Sequence, residues 1–316
     1  MAESAPESRP LGALQLEEAV RLLHGLVDGV ARMVSARVLF IKGPILGLQG
    51  LRALHQSVDV DVLVEPGRVE ALQRGLEQLG WRVRVPSTTA RVLPRHSTAY
   101  AHPLWPCELD VHWHFPGFLA APETTFDALW AHRTTAVVAG REVPCPEPLA
   151  HVAVAGLHIL RQADAPGKRE ELARLVETVT TTFGTDQISQ LGELAARTGA
   201  LATLRPLLEP LGLQTPTPIA SVEELADWRL RASSPGVRSV GWLAELGRTP
   251  FRRWPATLVH ALLLTEAEIR EAQPLAAPGR WGLLRARVRR LRLGLRDVPR
   301  ACRIVWRIRR EGPTTR

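Results

Sequence analysis

Two aspartates, Asp59 and Asp61, interrupt the apolar run Val58 to Val64 at alternate positions. In an extended strand alternate side chains leave the same face, so both carboxylates point one way, with Val60 between them on the other face. Two like charges on an otherwise buried strand oppose each other unless a cation sits between them. Oxygen ligands of this kind suit magnesium or manganese. A third acid, Asp110, lies in Glu108 to Phe115. There Glu108, Asp110, His112 and His114 alternate with Leu109, Val111, Trp113 and Phe115. Three acids from two strands could hold a metal pair that binds a nucleoside triphosphate and readies an acceptor hydroxyl for in-line attack. Lys42-Gly43 ends an earlier apolar run just before Pro44. That is a suitable place for a phosphate, near backbone amides and a helix amino terminus.

The elements that must position these groups follow from periodicity. Leu16, Val20, Leu23, Val27, Val30 and Val34 predict a helix over residues 14–35. Arg37 to Ile41 reads as a buried strand, and a helix after Pro44 runs to about Leu54. The acid-bearing strand covers Val58 to Val64. Pro66 opens a helix that ends at a Gly80 cap, and Trp81 to Val85 and Tyr100 to Pro103 read as strands. After Val143 the Pro-rich linker Pro144 to Pro148 precedes helical text over Leu149 to Arg161, Arg169 to Thr180, Asp186 to Thr198 and Leu201 to Leu211. The fold class is α+β: a mixed sheet with flanking helices over 12–145, a mostly helical domain over 146–279, and a basic tail over 280–316.

Charge is unevenly spread along the 316 residues. From Arg280 to Arg316 there are 13 Arg against Asp297 and Glu311, a local balance of +11 within a total of +8, which leaves −3 for the other 279 residues. The tail carries two amphipathic pieces, Leu284, Val288, Leu291 and Leu295, then Ala301, Val305 and Ile308, separated by Pro299. They suit an anionic surface, membrane or nucleic acid, or a packed terminal helix. With one Tyr in the chain, the tail shows no evident stacking platform for single strands. Cys107, Cys145 and Cys302 form neither a disulfide framework nor a zinc spacing, no apolar signal segment opens the chain, and no run is apolar enough to span a bilayer. A cytoplasmic location is the expectation.

The chain resembles the nucleotidyltransferase superfamily that includes polymerase beta, and within it a bacterial branch. The matching text is Phe40-Ile41-Lys42-Gly43, Asp59-Val60-Asp61-Val62-Leu63-Val64 and Leu109-Asp110-Val111-His112-Trp113. Leu157-His158 agrees more loosely. By this resemblance Asp59 and Asp61 hold both metals, Asp110 holds the catalytic one and helps deprotonate the acceptor, and Lys42 and Gly43 line the triphosphate. His55 stands where the superfamily commonly has an Arg, and Gly43-Pro44 where it has Gly-Ser or Gly-Gly. Proline removes an amide that could bind phosphate.

The resemblance implies a magnesium- or manganese-dependent enzyme that moves a nucleotidyl group from an NTP such as ATP to a small molecule, a peptide or a protein, releasing pyrophosphate. The two departures favour a rival, a catalytically weak or inactive binding protein that keeps the fold; the tail favours another, an antitoxin-like regulator associated with nucleic acid. His112 is read either as a proton relay or acceptor contact or as a group orienting Asp110, and His114 as an orienting group. His151 and His158, seven apart on one helix face, are read as core or interface side chains.

Overall fold

The computed structural model describes residues 14–53, 56–84, 96–215 and 279–310, with a few positions between 225 and 269. It is an α+β fold built on a five-stranded mixed sheet. The strands are β1 (Val38–Ile41), β2 (Asp59–Val64), β3 (Arg82–Val83), β4 (Ser97–Ala101) and β5 (Glu108–His112), in the order β1-β2-β5-β4-β3. Only β2 and β5 run parallel; the other neighbours are antiparallel.

The two faces of this sheet differ because side chains alternate. On the back, Val38, Phe40, Val60, Val62, Leu109 and Val111 form one apolar cluster with Leu23 and Val27 of α1 (Leu16–Met33) and Leu72 and Leu76 of α3 (Val69–Gln78). On the front, Leu39, Ile41 and Leu63 join a second cluster. It takes in α4 (Pro122–Ala131), α5 (Pro148–Leu160), α6 (Lys168–Thr182), α7 (Thr185–Arg197) and α8 (Arg205–Leu208). The remaining front positions of β2 and β5 are polar: Asp59, Asp61, Glu108, Asp110 and His112. They therefore lie between the sheet and the helices.

Several elements differ from the sequence expectation. The helix after Lys42, α2 (Gly43–Leu48), stops well short of Leu54. Gln49 leaves the helix to donate its side-chain amide to Pro146 O at 2.8 Å, and Gly50 turns to φ +70. β4 starts earlier than Tyr100, because His102 closes a turn by accepting the Leu104 N–H, ahead of which Ser97 to Tyr100 pair with β5. β3 is two residues long, and Val85 lies outside the described residues.

The Pro-rich stretch is not a linker. It is β7 (Arg141–Pro146), paired with β6 (Arg133–Val138) in a hairpin that the sequence reading missed together with α4. Pro144 and Pro146 are two apart, so both missing N–H groups fall on one edge, where a strand tolerates them. Val143 and Cys145, fully buried, point into the back cluster. The last of these helices begins at Arg205-Pro206 and not at Leu201, since proline suits a first turn.

The final described element is α9 (Gly279–Arg310), 32 residues with Pro299 inside. No helix among the described residues is long and apolar enough to cross a membrane.

Candidate active site

The parallel register of β2 and β5 sets Asp61 directly beside Asp110, and Asp59 beside Glu108. Partners in adjacent strands share a face, so the three acids read from the sequence do so here. Ligand atoms of Asp61, Asp110 and His112 lie within 4.8 Å of one another. Asp59 is not a member of that tight group among the described residues; it sits one strand step away on the same face.

Asp61 is the buried centre. Its Oδ1 accepts from Lys42 Nζ at 2.5 Å and from His112 Nε2 at 2.9 Å. Burial opposes its charge, yet the Lys42 ammonium and the His112 donor outweigh that and hold the carboxyl well below the usual carboxylate range. Asp59 and Asp110 behave oppositely. Burial pushes both up; Asp61 adds to each, while Lys42 opposes it at Asp59 and His112 at Asp110. Among the described residues Asp61 meets the Lys42 ammonium at contact distance, while that charge acts on Asp59 and Asp110 only at longer range. Arg161 adds a longer-range charge: burial lowers its pKa, and Asp61 and Asp110 counter that. His112 Nδ1 is buried without a hydrogen-bond partner among the described residues. Two carboxylates with an imidazole, and a third carboxylate alongside, form a donor set that fits a hard divalent cation.

Lys42 is held from behind. It has φ +64 and Gly43 has φ +57, consecutive left-handed residues that only a well-supported turn retains. The Lys42 N–H donates to His151 Nε2 at 2.8 Å. The other ring nitrogen, Nδ1, therefore carries the hydrogen and donates to Gln49 Oε1 at 2.7 Å. Gln49 passes the chain on to Pro146 O. Burial, with the Arg52 and Lys42 charges, lowers His151 to about 3, which keeps the imidazole neutral and its Nε2 open as an acceptor. The sequence predicts a core or interface histidine at His151; it is fully buried, and it also fixes the turn that aims Lys42.

A cleft of about 610 Å³ opens in front of these groups. Lys42, Gly43, Arg52, Ser57, Asp59 and Asp61 line one wall, and His158, Lys168 and Arg174 of the helices line the other. Lys168 is paired with Glu171 at 2.6 Å. His158 is lowered to about 3 by burial and then by the Lys42, Arg161 and Lys168 charges, so it enters the cleft neutral. Because α2 has six residues and Pro44 lacks an amide, side-chain cations supply more of the cleft's positive charge than a helix terminus can. His55 lies outside the described residues; His96 packs its ring 5.8 Å from that of His112.

A family model described as "Uncharacterised nucleotidyltransferase" matches residues 13–209, most of the chain, and takes in every one of these side chains. The chain belongs to this family of nucleotidyltransferases. No curated protein matches this nucleotidyltransferase. Similar solved structures include an antigenic nucleotidyltransferase-like protein from Paracoccidioides brasiliensis, at 16% identity and TM-score 0.38, over 65% of this chain and 96% of that one. Another is the antibiotic-resistance factor ANT(2'')-Ia, at 17% and 0.38, over 60% and 97%. A third is the lincomycin-bound lincosamide antibiotic adenylyltransferase LnuA, at 15% and 0.33, over 49% and 94%. These likenesses are distant, and the assignment of this nucleotidyltransferase rests on the family model.

The sequence reading missed Arg52, Arg161, Lys168 and Arg174. The only hint was that His151, His158 and Arg161 recur at helical spacing on one face of the helix after Pro148.

Proposed function

We propose that this nucleotidyltransferase moves an NMP group from an NTP to an acceptor hydroxyl and releases pyrophosphate. The observation that carries this is the cleft itself: Asp59, raised by burial and by its neighbour Asp61, lies with Asp61 on one wall, and cationic side chains lie on both. Its size falls within the range of about 300–1,000 Å³ usual for ligand pockets. Asp59, Asp61 and Asp110 would hold magnesium or manganese, with His112 orienting Asp61. Bound there, the ion would neutralise phosphate charge and favour in-line attack.

The chain's own residues do the rest. Lys42, Arg52, Lys168 and Arg174 receive the triphosphate, with Gly43 letting the backbone come close. Asp110, held above the ordinary carboxylate range by burial, takes the proton of the acceptor hydroxyl. The acceptor oxygen then bonds to the α-phosphorus as the bond from that phosphorus to the bridging oxygen breaks, and pyrophosphate leaves. The acceptor is a small molecule, a peptide or a protein. The units at 12–145 and 146–279 supply the two walls.

Isotope position tests this directly. NTP labelled at the α-phosphate, incubated with magnesium or manganese and a cell-extract acceptor pool, is expected to label an acceptor, while γ-label leaves as pyrophosphate. Transfer of γ-label with no α-label transfer would mean phosphoryl transfer and would refute the proposal.

A further inference from the structure

The helix α9 has three distinct sides. Each residue advances about 100° around an α-helix. Leu283, Ala286 and Ala301 lie on the inward side; Ala286 and Leu283 pack with Ile269, and Ala301 is fully buried. A second side carries Trp281, Leu284, Val288, Leu291 and Leu295, spaced three and four apart, and all are exposed: Trp281 by 76% and Leu295 by 62%. Each of the four aliphatic residues is followed by an exposed Arg: Arg285, Arg289, Arg292 and Arg296. These form a third, parallel stripe, extended by Arg300 and Arg303. An apolar ridge about 16 Å long from Leu284 to Leu295 thus runs beside a row of guanidinium groups. The side chains of Val305 and Ile308, expected to extend the ridge, lie outside the described residues.

We infer that α9 is a docking helix for the surface of a bilayer carrying anionic lipid. This surface is separate from the nucleotidyl-transfer cleft and does not depend on the reading of that cleft. Two features on adjacent sides have to be satisfied together. An anionic headgroup layer takes the Arg row, and the acyl boundary beneath it takes the aliphatic ridge and the indole of Trp281. Nucleic acid would answer the Arg row alone and leave the ridge in water. A second copy of the helix would answer the ridge, but Arg285 and Arg292 flank that seam and would meet their like. The helix lies flat: it is too charged to cross, with a single acid, Asp297, against its Arg residues.

The test is flotation of the full chain with vesicles of phosphatidylcholine alone or with about one third phosphatidylglycerol. Binding to the anionic vesicles and not to the neutral ones is expected. Arg→Gln changes at Arg285, Arg289, Arg292 and Arg296 are each expected to weaken partitioning about fivefold. Leu284→Asp with Leu291→Asp is expected to abolish it at an unchanged melting temperature, since both side chains are exposed. A fall in melting temperature in that variant would show the ridge covered within the protein and would overturn the inference. So would equal partitioning into both vesicles, or none into either. Duplex DNA binding that survives the leucine changes, with a log–log salt slope reduced by about 0.9 per Arg removed, would replace the bilayer with nucleic acid. A concentration-dependent dimer that the leucine changes dissolve, without vesicle binding, would replace it with a second copy.

Discussion

The two faces of one sheet obey different rules. Behind it, Val60, Val62, Phe40 and Val111 meet α1 and α3 in a mainly apolar contact, with the His24 ring of α1 5.0 Å from that of Phe40, and apolar volume is what matters most there. In front, the same strands present Asp59, Asp61, Asp110 and His112, and each charge depends on a particular neighbour. The back face is held by apolar packing and the front face by specific charge partners. Within the front, Asp61 is answered by Lys42 while Asp59 and Asp110 are held in excess. Such unspent charge raises the energy of the empty protein and favours a cation when one arrives.

Substitutions can break this contrast, beginning with the largest effect. Phe40→Ala on the back face is expected to cost about 3–5 kcal/mol of stability in urea denaturation. Asp61→Asn is expected to cost a similar amount, since it strands the Lys42 ammonium in the interior, and to weaken metal-dependent NTP binding as well. Unaltered stability in Asp61→Asn would show that the front face does not depend on that pair.

The supporting turn gives a smaller effect. His151→Leu leaves the Lys42 N–H buried without an acceptor, at about 1–3 kcal/mol. NTP affinity is expected to fall with it, and His151→Gln, whose carbonyl can accept, to recover part of the loss. Gly43→Val is expected to weaken NTP binding for a conformational reason: a Cβ has ordinary room, 3.6 Å from Ser57 Oγ, but φ +57 suits a β-branched residue poorly. Equal NTP affinity in Gly43→Val would remove Gly43 from the site.

The smallest effect lies in pH. A carboxyl pushed up by burial binds its proton more tightly folded than unfolded. The charges of Asp59 and Asp110 therefore cost stability at neutral pH, and that cost disappears as pH falls through their raised pKa values. Asp61, held low, contributes stability above the unfolded carboxylate pKa and loses it as pH falls toward the folded one. Asp110→Asn is thus expected to melt at the same temperature as wild type or slightly higher near pH 7, with the difference shrinking in acid. A lower melting temperature would contradict the excess charge assigned to Asp110.

Legibility in the sequence followed the same division. The acids at 59, 61 and 110 were readable because strand alternation is local and strict, and the paired register of β2 and β5 keeps all three on one face. The β6–β7 hairpin was not, because Pro144 and Pro146 carry turn chemistry unless one knows that their edge is free of N–H demand. The support of Lys42 by His151 was hidden by separation, since the two are 109 positions apart and no spacing rule reaches that far. Lys168 and Arg174 were hidden for a related reason: a helical cation reads as a solvated face until the opposite wall is known. The match of the family model fixes the class that the resemblance carried by these motifs implies.

The central claim is that the front face transfers a nucleotidyl group with Asp110 as base. It is tested most directly by pyrophosphate release from each NTP, in the presence of magnesium or manganese and an acceptor pool, by wild type and Asp110→Asn side by side. Release by wild type, reduced about 10²–10⁴-fold in a variant of equal or higher melting temperature, is the expected result. Equal release by the two proteins would contradict the role given to Asp110, and an absence of release by wild type from every NTP would contradict the transfer itself.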